Sequence, residues 1–238
     1  MLKETDLENV KDALIEIAYA CPIEPIKGLP LCVHPLTNTT FVMHKTKDGS
    51  EMIDITDEEN LYIWLNEMRD VIRRQKDCYD VYNMVLQNYK LTFLKFAGDY
   101  LSKHDFSVLL ADAWTTQENP NMDVNCNIRS IIHWFKKADK KVLMDEEDYA
   151  VYSSLPDTFT VYRGVSIGRT PKGLSWTRNK ETAEWFMHRF EDLEPNKRGY
   201  MLKAEIKKEN VLAYLNTRDE DEIVVDYYAI EDKIEKIS

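Results

Sequence analysis

Three short segments in the second half of this 238-residue chain carry side chains able to do chemistry together: Val161-Tyr-Arg-Gly-Val165, Leu174-Ser-Trp-Thr177 and Glu220-Asp-Glu-Ile-Val-Val225. A fixed carboxylate stabilises positive charge as it develops, and a guanidinium grips phosphate oxygens through two parallel hydrogen bonds. Glu220 and Glu222 offer the first and Arg163 the second, with the hydroxyls of Ser175 and Thr177 between them in sequence. Taken singly, each segment has a plainer explanation. An arginine at a strand end is usually a surface charge, Ser-x-Thr a cross-strand pair, and two acids before an apolar run an edge guard.

Other chemistries find little support. The five histidines (His34, His44, His104, His133, His188) show neither HExxH nor any paired metal spacing, and no GxGxxG, Walker or GxSxG sequence occurs. Cys21, Cys32, Cys78 and Cys126 are scattered without a CxxC pair, which argues for reduced thiols rather than a disulfide scaffold or zinc site. A formal charge of −11 would repel a polyanion over most of the surface, so nucleic acid is a disfavoured partner. Lys136, Lys137, Lys140 and Lys141 make the one basic cluster, read as a solvated helix end favoured by the macrodipole. No apolar run reaches membrane length, and the acidic opening residues lack the basic flank and apolar core of a secretory signal. A cytoplasmic protein with no membrane partner is expected.

The elements that must position the three segments change character along the chain. Thr5 with Glu8, and Thr56 with Glu59, fit capping boxes. Leu7, Val10, Leu14 and Ile17 follow the first at helical spacing, and Leu61, Trp64, Leu65, Met68, Val71 and Ile72 follow the second. Between them, residues 41–55 alternate around Asp48-Gly49 as a hairpin would. Helices are expected over 78–97, 106–116, 128–137 and 145–153, with an Asn-rich loop at 117–127. After Leu155-Pro156 the period shortens: strands are expected at 158–162, 174–177, 200–206, 211–215 and 222–225, with a helix at 180–190. Helices first and strands later is the α+β pattern.

An aromatic-Arg-Gly, then Ser-x-Thr before a helix, then Glu-x-Glu opening a strand resembles the R-S-E class of mono-ADP-ribosyltransferases, which includes cholera-like and clostridial binary toxins and arginine-specific vertebrate enzymes. The resemblance runs from about Cys78 to the C-terminus. It implies an ADP-ribosyltransferase fold, a helical lobe followed by two packed, mostly antiparallel β-sheets around an NAD cleft. Residues 1–77 would be an accessory region and 78–238 the catalytic domain.

The resemblance also assigns roles. Glu222 would stabilise the oxocarbenium-like ribose as nicotinamide leaves, held by Ser175, with Thr177 supporting the pocket floor. Arg163 would engage the NAD phosphates, and Gly164 would let the backbone approach the nicotinamide amide. Phe186 would stack on nicotinamide and Arg189 would be a second phosphate ligand, although Phe186 fits an ordinary buried helix face equally well. Glu220, on the same side of an extended segment as Glu222, would orient an arginine acceptor. Trp176 departs from the small residue common at the centre of the Ser motif and is expected in the core. The implied activity is transfer of ADP-ribose from NAD, the co-substrate, to an unidentified protein acceptor without a metal, by an intracellular enzyme similar to those of phages and mobile elements. NAD hydrolysis and a non-catalytic binding module are the rivals. Residues 1–77 would dock a target, cap the cleft or extend the helical lobe.

Overall fold

In the computed structural model, which describes residues 3–194 and 196–237, aspartates rather than the expected threonines start the N-terminal helices. Asp6 caps α1 (Leu7–Ala20) by accepting from the Asn9 amide, and Asp57 caps α2 (Glu58–Arg73) by accepting from Glu59 and Asn60. Both N-caps therefore lie one residue later than the expected boxes put them. A carboxylate is the better acceptor for orphan helix amides, and the threonine hydroxyls turn elsewhere, Thr5 to Asp105 and Thr56 to Asp54.

The chain divides into two units, Met1–Leu109 and Leu110–Ser238, rather than at residue 77. The first unit holds α1, a three-stranded sheet of β1 (Glu24–Pro25), β2 (Leu31–His34) and β3 (Thr37–Thr39), the hairpin β4 (Phe41–Thr46) and β5 (Gly49–Asp54), and α2. It continues through α3 (Cys78–Asn83) and α4 (Lys90–Ala97) to α5 (Lys103–Thr116), within which the division falls. The apolar face of α1 explains why the boundary lies so late. Val10, Leu14 and Ile17 are buried, and α1 packs against α2, α3 and α4, so helices beyond residue 77 complete the N-terminal core. The single helix expected over 78–97 is two, separated by a 3₁₀ turn at Gln87–Tyr89.

The second unit begins with the end of α5 and continues with α6 (Ile128–Lys137), α7 (Lys140–Leu143) and α8 (Glu146–Ser154). There follow β6 (Thr158–Val165), β7 (Ser175–Thr177), α9 (Lys180–His188), β8 (Tyr200–Lys207), β9 (Val211–Leu215), β10 (Glu222–Val225), α10 (Tyr227–Ile230) and β11 (Glu235–Lys236). The strands form one antiparallel order, β11-β8-β6-β7-β10-β9. Where two packed sheets were expected, two three-stranded ladders share a single residue pair, Tyr162↔Thr177. Strand β7 is three residues long; it pairs with β10 over its whole length on one edge and with β6 at Thr177 alone on the other.

Helices α6 and α8 pack on β9, and α9 packs on β6, β7 and β8. The lysine cluster is partly spent inside this unit: Lys136 pairs with Asp226 at 2.6 Å and Lys140 donates to the Val211 carbonyl at 3.2 Å. No described helix is long and apolar enough to cross a membrane.

Candidate functional site

Strand order brings the three segments together, because β6, β7 and β10 are adjacent. Thr177 stands opposite Glu222 on one side and Tyr162 on the other, so Arg163, Ser175 and Glu222 fall within a few residues of one register line. They line the same cleft, whose cavity volume is about 100 Å³. Gly164, Thr177, Phe186, Arg189 and Glu220 line it too, so every residue singled out from the sequence reaches the same cavity.

Glu222 opens β10 and is 5% exposed. Burial pushes its carboxyl above the ordinary range. Hydrogen bonding from Ser175 and Trp114 opposes that, as does the positive charge of Arg218, while Glu220 adds repulsion. The Trp114 indole donates to Oε1 at 2.9 Å. Trp114 lies in the last turns of α5, itself 1% exposed and edge-on to Phe135. In the sequence it reads as one more apolar residue of a core helix, so nothing but the structure separates this donor from its neighbours.

Asn121 is another residue the sequence did not point to. From the 117–127 loop its side chain donates to the Ser175 hydroxyl at 3.2 Å and accepts from the Leu174 amide at 2.6 Å, fixing the start of β7. The Thr177 hydroxyl accepts from the Asn179 amide at 3.0 Å, while Asn179 caps α9. Trp176 is in the core as expected, its indole donating to the Gly173 carbonyl at 3.0 Å.

Arg163 occupies the buried phase of β6 with Val161 and Val165. Nη1 donates to the Ser175 carbonyl at 2.8 Å and Nη2 to the Thr170 carbonyl at 3.1 Å, while buried Nε has no partner among the described residues. Desolvation lowers its pKa to about 10 against the opposing pull of Glu222, which leaves it a cation at neutral pH. This guanidinium, expected as a phosphate ligand, holds the loop that leads into β7. A Cβ at Gly173 would meet the guanidinium and displace it, so the glycine leaves room for this placement of Arg163.

Gly164 has a packing task that neither a turn nor a nicotinamide contact anticipates. A Cβ on it would run into the Ala183 carbonyl and the Met187 amide, so its absence seats α9 directly on β6. That seating carries Phe186, half-buried and edge-on to Trp185, into the cleft. Arg189 follows at the C-cap of α9 and pairs with Glu118 at 3.1 Å. Arg169, absent from the sequence-derived candidates, reaches the same Glu118 oxygen at 3.3 Å.

Glu220 and Glu222 share the cleft for a reason other than strand alternation. Asp219 and Asp221 have φ of 56° and 48°, left-handed values that asparagine and aspartate tolerate, and a turn rather than an extended segment sets Glu220. Asn216 anchors that turn: its side chain accepts from the Asp221 amide at 2.8 Å, and its own amide donates to buried Asp148 at 3.0 Å. Asp221 is committed to Arg178 at 2.9 Å and to the Tyr214 hydroxyl at 2.8 Å. Glu220 pairs with Arg218 at 2.9 Å.

None of the four cysteines forms a disulfide, and burial pushes the Cys78 thiol up to about 12, which leaves it protonated at neutral pH. No family model matches the chain, and neither a curated protein nor a solved structure matches it, so the functional reading stands on the geometry of this cleft.

Proposed function

We propose that the chain is an NAD-dependent mono-ADP-ribosyltransferase that breaks the nicotinamide–ribose bond and passes ADP-ribose to an acceptor, arginine being first choice. The observation that carries this reading is Glu222: a buried carboxylate held by Trp114 and Ser175 in a cleft that also receives Glu220, Phe186 and cationic side chains. Loss of nicotinamide leaves positive charge on the ribose, and a carboxylate oriented in advance stabilises that charge without reorganising. Glu220 would then orient a guanidinium nucleophile, which water attack does not need.

One observation favours hydrolysis as a second reading. Glu220 is engaged by the chain's own Arg218, so an acceptor arginine must displace it whereas water need not. Purified protein with labelled NAD and a cell lysate tests both readings, measuring nicotinamide release and label on protein in parallel. Glu222→Gln is expected to lose both activities by ~10²–10³-fold or more. Glu220→Gln is expected to lose protein labelling while keeping nicotinamide release. Release that survives Glu222→Gln removes this carboxylate from the chemistry, and no release by wild type rejects both readings.

A further inference from the structure

Two arginines meet at the cleft with one carboxylate between them. Arg169 sits in the turn that follows β6, next to Gly168 at φ 74°, and its amide donates to the Ser166 carbonyl at 3.1 Å. Arg189 comes from the C-terminal end of α9. Both guanidiniums lie 5.2 Å from the centre of the Phe190 ring, and both direct Nη2 at Oε1 of Glu118, at 3.3 and 3.1 Å. All four side chains line the cleft. Two permanent cations against one carboxylate leave a surplus of positive charge. The carboxylate is also the most exposed of the three partners, at 54% against 24% and 32%.

We propose that Glu118 is a built-in counter-anion that keeps Arg169 and Arg189 assembled across Phe190, and that the diphosphate of an incoming nucleotide displaces it. The charge balance favours the exchange, because a diphosphate brings at least two negative charges to two guanidiniums that a single carboxylate under-neutralises. Forked donors suit its oxygens as they suit a carboxylate. Arg163 is the competing seat, but it is only 9% exposed and its Nη1 and Nη2 each already donate to a carbonyl, those of Ser175 and Thr170. Glu118 costs affinity by competing for the same guanidiniums, yet it prevents two like charges from splaying apart before the nucleotide arrives.

This inference deepens the proposed NAD chemistry, and its test is separable from it because it needs no turnover. Calorimetric titrations of the full chain with ADP-ribose, inorganic pyrophosphate and nicotinamide compare wild type, Glu118→Gln and Arg169→Gln, with circular dichroism confirming that each is folded. Glu118→Gln is expected to tighten ADP-ribose and pyrophosphate by about two- to fivefold, the worth of an exposed ion pair, and to leave nicotinamide unchanged. Arg169→Gln is expected to weaken the two phosphate ligands. Unchanged or weaker phosphate binding in Glu118→Gln overturns the proposal, as does tightening that extends to nicotinamide or no phosphate binding by wild type. Should the phosphate ligands respond as expected while NAD is never cleaved, the diphosphate seat stands and the transferase reading falls.

Discussion

At Glu222, burial and hydrogen bonding pull the carboxyl in opposite directions, with burial the larger effect. A raised pKa means that the folded protein keeps this proton to higher pH than the unfolded chain. Between the two pKa values the folded state binds more protons, so stability falls as pH rises through that window. Glu222→Gln, which keeps an acceptor for Trp114 and removes the buried charge, is therefore expected to melt no lower than wild type at neutral pH. Trp114→Phe acts in the other direction. Without the indole donor the ionised form loses support, so the acid limb of the nicotinamide-release profile is expected to move to higher pH. The rate at its plateau should fall by roughly tenfold, the scale of one hydrogen bond to a charged group. An unmoved pH profile in a folded Trp114→Phe variant would reduce Trp114 to packing.

At the scale of elements, α9 depends on what β6 lacks. Gly164→Ala drives a methyl group into the helix backbone, and it is expected to cost about 1–3 kcal/mol, read as a lower midpoint in urea. ADP-ribose affinity should fall with it, since α9 carries Phe186 and leads into Arg189; full affinity in a destabilised variant would detach the helix from the site. This level also shows what the sequence made legible. Strands β9 and β10 and helix α6 lie where their periodicity puts them, and the three motif segments do converge. Trp114, Asn121, Arg169 and Glu118 were not legible, because a tryptophan in an apolar helix and polar residues in loops acquire partners only through contacts distant in sequence. The division between Leu109 and Leu110 was not legible for a related reason: helical periodicity identifies a buried face but not which neighbour buries it.

Across the molecule, the motif segments sit where backbone pairing is thinnest. The ladders β11-β8-β6 and β7-β10-β9 share only Tyr162↔Thr177, and one residue away the Arg163 side chain donates to the Ser175 carbonyl across the same gap. A side chain thus does there what main-chain amides do elsewhere in the sheet. The expected consequence is a change in cooperativity that amide hydrogen exchange can read. In wild type the amides of both ladders should open together, whereas in Arg163→Lys, which cannot span two carbonyls with a planar fork, each ladder should exchange as its own unit with its own opening free energy. Identical exchange in the two proteins would show that Arg163 is no rivet. Otherwise the seam that carries the candidate site is also the line along which the sheet comes apart, and Arg163 serves there as a mechanical tie.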